Sequence, residues 1–430
     1  MDISEAEKVL TWNKWLLDFL GIWPTNKNNT KFYFFFTFIT VQCCLQYADL
    51  IEYIDDFEYV LVNLTESIVF TMILLKIVQY KINTGRLIEL IRDIRTDYSK
   101  ELYRTEEEMA IFIRYNSFSK IILYCLSISG VITSSLYYIR PLSSYLLAHN
   151  DPTGNSSSSF ILPYHVRLFF DLTEVPTYYA IYACEIWVIP MVVCGFMGTD
   201  CLLITLVLHV CGQFSILTIQ VENLTHDPRE LHDELKRIVI KHRRLIRLFA
   251  NLHSAYSTFL LQELVGITLL TCLGSYNVIV TPILKETTYF LIFVFYIISI
   301  ISQLYGFCYI GECLIIESEC LCHAFYNSEW YNAPPHHGKF ILMCILRSQR
   351  PLALTAGNIF TFSLESFTHV RQKLFINFDS KHVLLSVIHR NSFALTGFKN
   401  INGLPISYTK LLINGSQEIS GSYNPIYIHN

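Results

Sequence analysis

Ser348–Val370 reads SQRPLALTAGNIFTFSLESFTHV, and how this stretch is parsed decides the fold. Pro351 and Gly357 mark a break. From Asn358 the apolar residues Ile359, Phe360, Phe362, Leu364 and Phe367 recur at roughly helical spacing, interleaved with Ser363, Glu365, Ser366, Thr368 and His369. A helix that is half polar belongs against protein or water, and alone this one also fits an ordinary amphipathic surface helix. The rest of the chain makes it a last membrane crossing, expected from Ala356 to Val370.

With 430 residues, 52% hydrophobic, 16% charged and a mean hydropathy of +0.37, the chain is too apolar for ordinary soluble domains. A polytopic membrane protein is expected. The net charge of -4 and the scattered Lys and Arg residues exclude a nucleic-acid surface. The 13 cysteines lie in apolar runs or in stretches placed in the cytosol, so reduced thiols are expected. The opening MDISEAEKVL lacks the pattern of a removable signal peptide, so the first apolar run is expected to target the chain.

Residues 1–31 form an N-terminal segment in which Trp12, Trp15, Leu16, Phe19, Leu20 and Trp23 make an amphipathic face, suited to the membrane interface or to packing on protein. Spans are predicted at Phe32–Leu50, Tyr59–Tyr80, Ile121–Ile139, within Val175–Leu217, at Ser254–Val280 and at Thr287–Gly311, each reaching the ~20 residues that a ~30 Å hydrocarbon layer requires. The connections after the second and fourth spans are rich in Lys and Arg, for example Arg86, Arg92 and Arg95, then Arg237, Arg243 and Arg244. By the positive-inside rule these loops are cytosolic, as is the amino terminus. Asn155-Ser156-Ser157 is a glycosylation acceptor in a loop this orientation puts outside. Residues 312–355 are polar enough to be cytosolic, 356–370 form a partial seventh crossing, and 371–430 are a tail of unassigned structure. The expected fold is an all-α membrane protein with seven transmembrane helices, amino end inside and carboxyl end outside, opposite to G-protein-coupled receptors.

The string from Gln303 to Phe367 closely resembles the carboxyl-terminal region of insect odorant receptors. Matching positions are Gly311, Glu312, Ser318, Ala324, Tyr326, Trp330, Tyr331, Arg347, Gln349, Pro351, Ala356, Gly357, Ser363, Leu364 and Phe367. Upstream, Asp200-Cys201-Leu202-Leu203, His209, Gln213-Phe214, His242, Leu245 and Gln262 are spaced as in the same family. The resemblance implies a ligand-gated cation channel, a heterotetramer in which a tuning subunit pairs with a co-receptor in the plasma membrane of sensory neurons. It places a subunit anchor at Trp330, Tyr331, Arg347 and Pro351, and the pore or gate at Ser363, Ser366 and Phe367. It also places a small apolar odorant pocket in the outer halves of the second, third, fourth and sixth helices, at Ser67, Phe70, Thr71, Thr133, Tyr137, Tyr179, Ile186, Phe293 and Tyr296. Each of these also fits simple helix packing.

After Phe367 the family pattern is lost. The chain continues Val370-Arg371-Gln372-Lys373, and Ala356–Val370 as a helix reaches only about 22 Å. Arg371 and Lys373 would sit in the outer crossing, where charge hinders insertion or cation passage. One reading is translation of a retained intron, leaving a non-conducting subunit; a divergent tail is the other. A gustatory receptor and a G-protein-coupled receptor are further alternatives.

Glu66, Glu185 and Glu263 lie inside predicted spans, where a carboxylate must face a partner or a cavity. Asp200 and His209, on one helix, suggest a gating contact, a cap or a bridge. Cys313, Cys320, Cys322, His323, His336 and His337 match no usual zinc spacing, so no metal and no cofactor are expected. No nucleophile, base and orienting group occur together, so no enzymatic activity is expected.

Overall fold

A chain in hydrocarbon must satisfy its backbone N–H and C=O groups within itself, so the long apolar runs become helices. The computed structural model describes residues 3–26, 29–149, 162–168, 175–224, 228–280, 287–332, 334–357 and 359–376. Its helices are α1 (Ile3–Phe19), α2 (Thr30–Glu52), α3 (Phe57–Ile82), α4 (Thr84–Arg95), α5 (Glu106–His149), α6 (Val175–Glu185), α7 (Val188–Val192), α8 (Gly198–Glu222), α9 (Pro228–Val280), α10 (Thr287–Asn327), α11 (Pro335–Ser348) and α12 (Leu364–Ile376). Two short strands, β1 (Thr355–Ala356) and β2 (Phe360–Thr361), three 3-10 turns (Thr96–Tyr98, Lys100–Leu102 and Trp330–Asn332) and a wider, π-helical turn (Val193–Met197) complete the described elements. One compact unit runs through Val370, and the second contributes only the end of α12 to the described residues.

Among the described residues six segments are long and apolar enough to cross a membrane: α2, α3, much of α5, Pro176–Glu222, α9 and α10. The third, fifth and sixth helices continue well past their predicted spans, to 44, 53 and 41 residues. The glycosylation acceptor Asn155 and the chain beyond residue 376 lie outside the described residues.

The fourth span is the central pillar. Its sequence GTDCLLITLVLHVCGQF is apolar on every side, and such a helix is stable only when surrounded. Every residue from Val193 to Phe214 is buried, with α1, α5, α9 and α10 packed around α8. The pillar is interrupted at Ile186–Trp187, because Pro190 has no N–H to offer the Ile186 carbonyl. That carbonyl instead accepts from the Ile189 N–H, one residue nearer, at 3.2 Å. The amphipathic α1 packs on protein: Val9, Leu10, Leu16, Leu17 and Leu20 are buried, and Asn13 Nδ2 donates to Thr205 Oγ1 on α8 at 2.8 Å.

Deep in the bundle Lys76 of α3 is 0% exposed. Its Nζ lies 2.9 Å from Asp200 Oδ1 on α8 and 2.8 Å from Glu263 Oε1 on α9, and it donates to the Phe196 carbonyl at 2.8 Å. The ammonium also sits 4.0 Å from the centre of the Phe196 ring. From α10, Gln303 Nε2 donates to Asp200 Oδ2 and, at 3.2 Å, to Glu263 Oε2. One cation, two carboxylates and one amide therefore join four helices. At 1.5 Å per residue the cluster lies roughly 24–28 Å along α3, α9 and α10 from Phe57, Val280 and Thr287. The sequence reading paired Asp200 with His209 as a possible contact; the structure turns Asp200 to Lys76 and His209 to Asp97, because the two residues sit on different sides of α8.

The seventh helix begins later than its sequence suggests. The helix expected from Ala356 starts at Leu364, and the chain before it forms the β1–β2 ribbon, with Thr355 opposite Thr361 and Ala356 opposite Phe360. Gly357 closes the turn with φ +54°, a conformation open to glycine at little cost. Burial alternates along the ribbon, with Leu354, Ala356 and Phe362 inward and Thr361 outward. Ser363 then caps α12: its Oγ accepts from the Ser366 N–H at 3.1 Å, while Glu312 Oε2 on α10 accepts from the Leu364 N–H at 3.0 Å. The helix runs six residues beyond Val370, where the sequence reading had stopped it. At Gly311 the ribbon touches α10 so closely that an added Cβ would lie 2.1 Å from the Phe362 carbonyl oxygen.

Two outcomes follow from this packing. Lys76→Met leaves two carboxylates buried without a counter-ion and is expected to cost about 3–5 kcal/mol, seen as a loss of surface protein and of thermal stability in detergent. Adding Asp200→Asn and Glu263→Gln to that variant restores most of the loss. Gly311→Ala displaces the ribbon and is expected to speed proteolytic cutting within 349–363, whereas Gly306→Ala, with open space beside it, leaves the cutting rate unchanged.

Candidate functional site

At the end of the bundle where α3 begins and α9 finishes, shown by the Phe57 and Tyr276 rings 6.1 Å apart, a buried aromatic cluster forms between helices. The short segment 162–168, between α5 and α6, reaches into it. Tyr164 stacks on Tyr137 of α5 with centroids 5.7 Å apart and an 18° interplanar angle, and meets Phe70 of α3 edge-on at 5.8 Å and 87°. Tyr296 of α10 is close enough to interact electrostatically with Tyr137, and its buried hydroxyl has no hydrogen-bond partner among the described residues.

Two carboxylates hold this segment by its backbone. Glu66 Oε2 accepts from the His165 N–H at 2.9 Å, while its Oε1 meets His165 Nδ1 at 2.8 Å and accepts from the Tyr137 hydroxyl at 2.6 Å. Glu185 accepts from the Tyr164 N–H. Arg140 places its guanidinium 4.9 Å from the Tyr137 ring centre and interacts with Glu66. Further along, Arg167 pairs with Glu52 and donates its N–H to the Leu45 carbonyl at 3.2 Å. Three helices, α2, α3 and α6, thus fix one strap.

The nine residues expected to form a pocket divide accordingly. Phe70, Tyr137 and Tyr296 share the cluster, and Phe293, on the same helix as Tyr296, is buried. Ser67 and Thr71 belong to a polar seam with α2: Ser67 Oγ donates to Asn63 Oδ1, Asn63 Nδ2 donates to Asp49 Oδ2, and Thr71 Oγ1 meets the Tyr47 hydroxyl at 2.9 Å. The Thr133 hydroxyl donates to the Ser129 carbonyl one turn back. Tyr179 and Ile186 are 57% and 49% exposed on and just after α6, outside the cluster, because the irregular start of the fourth span turns them outward.

Of the residues assigned to the pore, Ser363 and Ser366 join hydroxyls at 3.0 Å in the first turn of α12, and Phe367 packs edge-on against Tyr305 of α10 at 5.4 Å. Trp330 is half-buried, while Tyr331, Arg347 and Pro351 are exposed. Beside them α11 buries Ile341, Cys344 and Ile345 but leaves Leu342, Met343 and Leu346 exposed, the last two at 67% and 58%. Among the described residues no group of three or more His, Cys, Asp or Glu side chains is placed to hold a metal ion.

Next to α4, Asp97 joins His209 of α8 at 3.0 Å and Arg244 of α9 at 2.6 Å. Burial opposes ionisation of Asp97, but the hydrogen bonds and charge of His209 and Arg244 outweigh it and hold the carboxyl below its ordinary value. Sequence reading passed over Lys76, Tyr164 and His165. For Lys76 a signal was present, since an ammonium within an apolar span demands a partner; for the strap there was none.

The family model for the 7tm odorant receptors matches residues 56–374. The chain is similar to odorant receptor 49a of Drosophila melanogaster, 24% identical over 304 residues that cover 68% of this chain and 73% of the other. It is also similar to odorant receptor Or2 of Anopheles gambiae, 23% identical over 48% of this chain and 57% of that one. In fold it matches the olfactory receptor OR5 of Machilis hrabei, with a TM-score of 0.73 at 19% identity, covering 90% of this chain and all of that one; the same receptor in complex with eugenol gives 0.75 at 21%. An all-α membrane fold with a lone central pillar, a capped helix after a Gly311-tight ribbon, and a family match over most of its length together make this chain a member of the insect odorant receptor family.

Proposed function

We propose that the chain is an odorant-tuning subunit that binds a small oxygenated volatile in its aromatic cluster and, with a co-receptor, gates a cation pore in the plasma membrane of sensory neurons. The observation that carries the reading is the cluster itself. Phe70, Tyr137 and Tyr164 form apolar, aromatic walls, and the unpartnered Tyr296 hydroxyl supplies one polar contact, the combination that recognises a small apolar molecule bearing an oxygen. Eugenol, the ligand of the related OR5, has that chemistry. Cytosolic placement of the amino end and of the Lys- and Arg-rich connections follows from charge. The exposed Leu342, Met343 and Leu346 on α11, with Tyr331, Arg347 and Pro351 alongside, are suited to contact between subunits.

A second reading, a subunit that assembles without conducting, is favoured by α12. Its 13 residues rise about 20 Å, against about 30 Å of hydrocarbon, and carry Arg371 and Lys373 near their end. Co-expression with a co-receptor in oocytes, with eugenol and a broad volatile panel as probes, separates the two. Odour-evoked cation current that needs both subunits is the expected result; silence at normal surface density supports the non-conducting form. Messenger RNA sequenced across Val370 then shows whether the tail is exon. An amino-terminal epitope is expected to be inaccessible in unpermeabilised cells, and accessibility there would overturn the orientation.

A further inference from the structure

The helices do not make the aromatic cluster alone. One of its buried rings belongs to a loop: Tyr164 is 5% exposed, in contact with both Phe70 and Tyr137, and comes from the strap 162–168. A loop residue buried this deeply in a membrane bundle needs its backbone groups satisfied, and here that is done by two acidic side chains buried in the bundle. Glu185 takes the N–H of Tyr164, and Glu66 takes both the N–H and the ring nitrogen of His165. Tyr59 closes the other side of His165, ring edge to face at 4.8 Å. The strap is therefore fixed in depth, and the Tyr164 ring with it.

A ring held at fixed depth is a fixed wall for any ligand that enters the cluster. We propose that Tyr164 is a specificity-determining residue of the odorant site, the stop that limits ligand length, with Glu66, Glu185 and His165 as the residues that position it. This rests on the reading of the cluster as the odorant site. The ring packs directly on Phe70 and Tyr137, the aromatic walls of the proposed site, and the unpartnered Tyr296 hydroxyl on α10 is the polar group available to orient an oxygen. The ligand class is accordingly an apolar chain or ring with one hydrogen-bonding oxygen, and the length of the apolar part is what Tyr164 measures. Each methylene gained or lost in such a pocket changes affinity by about tenfold or more.

The test uses the full chain co-expressed with a co-receptor, dose–response recordings to the alkan-2-ones and 1-alkanols from four to twelve carbons, and surface biotinylation of every variant. Tyr164→Ala is expected to move the optimum to longer homologues and improve potency for the longest by about tenfold. Tyr164→Trp is expected to move it to shorter ones, and Tyr164→Phe to leave it in place. Opposite shifts from Ala and Trp do not arise from loss of folding. A wild type that responds, with Ala and Trp variants that keep its chain-length order, overturns the assignment of Tyr164 while leaving the odorant reading intact. Silence of wild type and variants alike, at normal surface density, overturns the odorant reading and this inference with it.

Discussion

The bundle is organised around one ammonium group. Lys76 is out of reach of water, and an isolated ammonium there would cost several kcal/mol. It is tolerated because Asp200, Glu263, the Phe196 carbonyl and two aromatic rings surround it, and because Gln303 donates to both carboxylates. A buried pair of this kind adds less to stability than it does to register. Only one sliding position of α3, α8, α9 and α10 brings all four side chains together, whereas the leucines and isoleucines between these helices would accept several. The apolar contacts supply the bulk of the packing, and the charge cluster selects among its alternatives.

That selection reaches the rest of the molecule through α8. Being buried on all sides, the pillar passes its position to each neighbour: to α1 through Asn13 and Thr205, to the Asp97 group through His209, and to α3 and α10 through Asp200. Its irregular stretch, around Pro190 and the following Val193–Met197 turn of wider helix, falls beside α3 and α5 and runs into the charge cluster, where the Phe196 carbonyl and ring meet Lys76.

Much of this was legible in the sequence. Six spans follow from runs of apolar residues whose length the bilayer dictates, and burial of the fourth follows from its lack of a polar face. The seventh helix was misjudged for a definable reason. Phe360, Phe362, Leu364 and Phe367 fit a helical period, but Phe360, Phe362 and Leu364 also alternate strictly, and Leu354 with Ala356 extends that alternation backwards. Two periods compete over a few residues, and only the Gly357 turn and the Ser363 cap decide between them. The candidate site was legible in part: Phe70, Tyr137 and Tyr296 converge, yet the strap that completes the cluster comes from a stretch with no periodicity at all. Which loop folds back into a bundle is set by partners such as Glu66 and Glu185, distant in sequence, and a carboxylate inside a span announces a partner without naming it.

The unbroken length of α10 has a mechanical meaning. It carries Phe293 and Tyr296 near one end, Gln303 in the middle, and Gly311 and Glu312 about 23 Å from Tyr296, with no proline between them to kink it. One continuous helix therefore joins the aromatic cluster to the carboxylate that holds the first N–H of α12, and the close seat of the Phe362 carbonyl on Gly311 ties the ribbon to that same turn of α10.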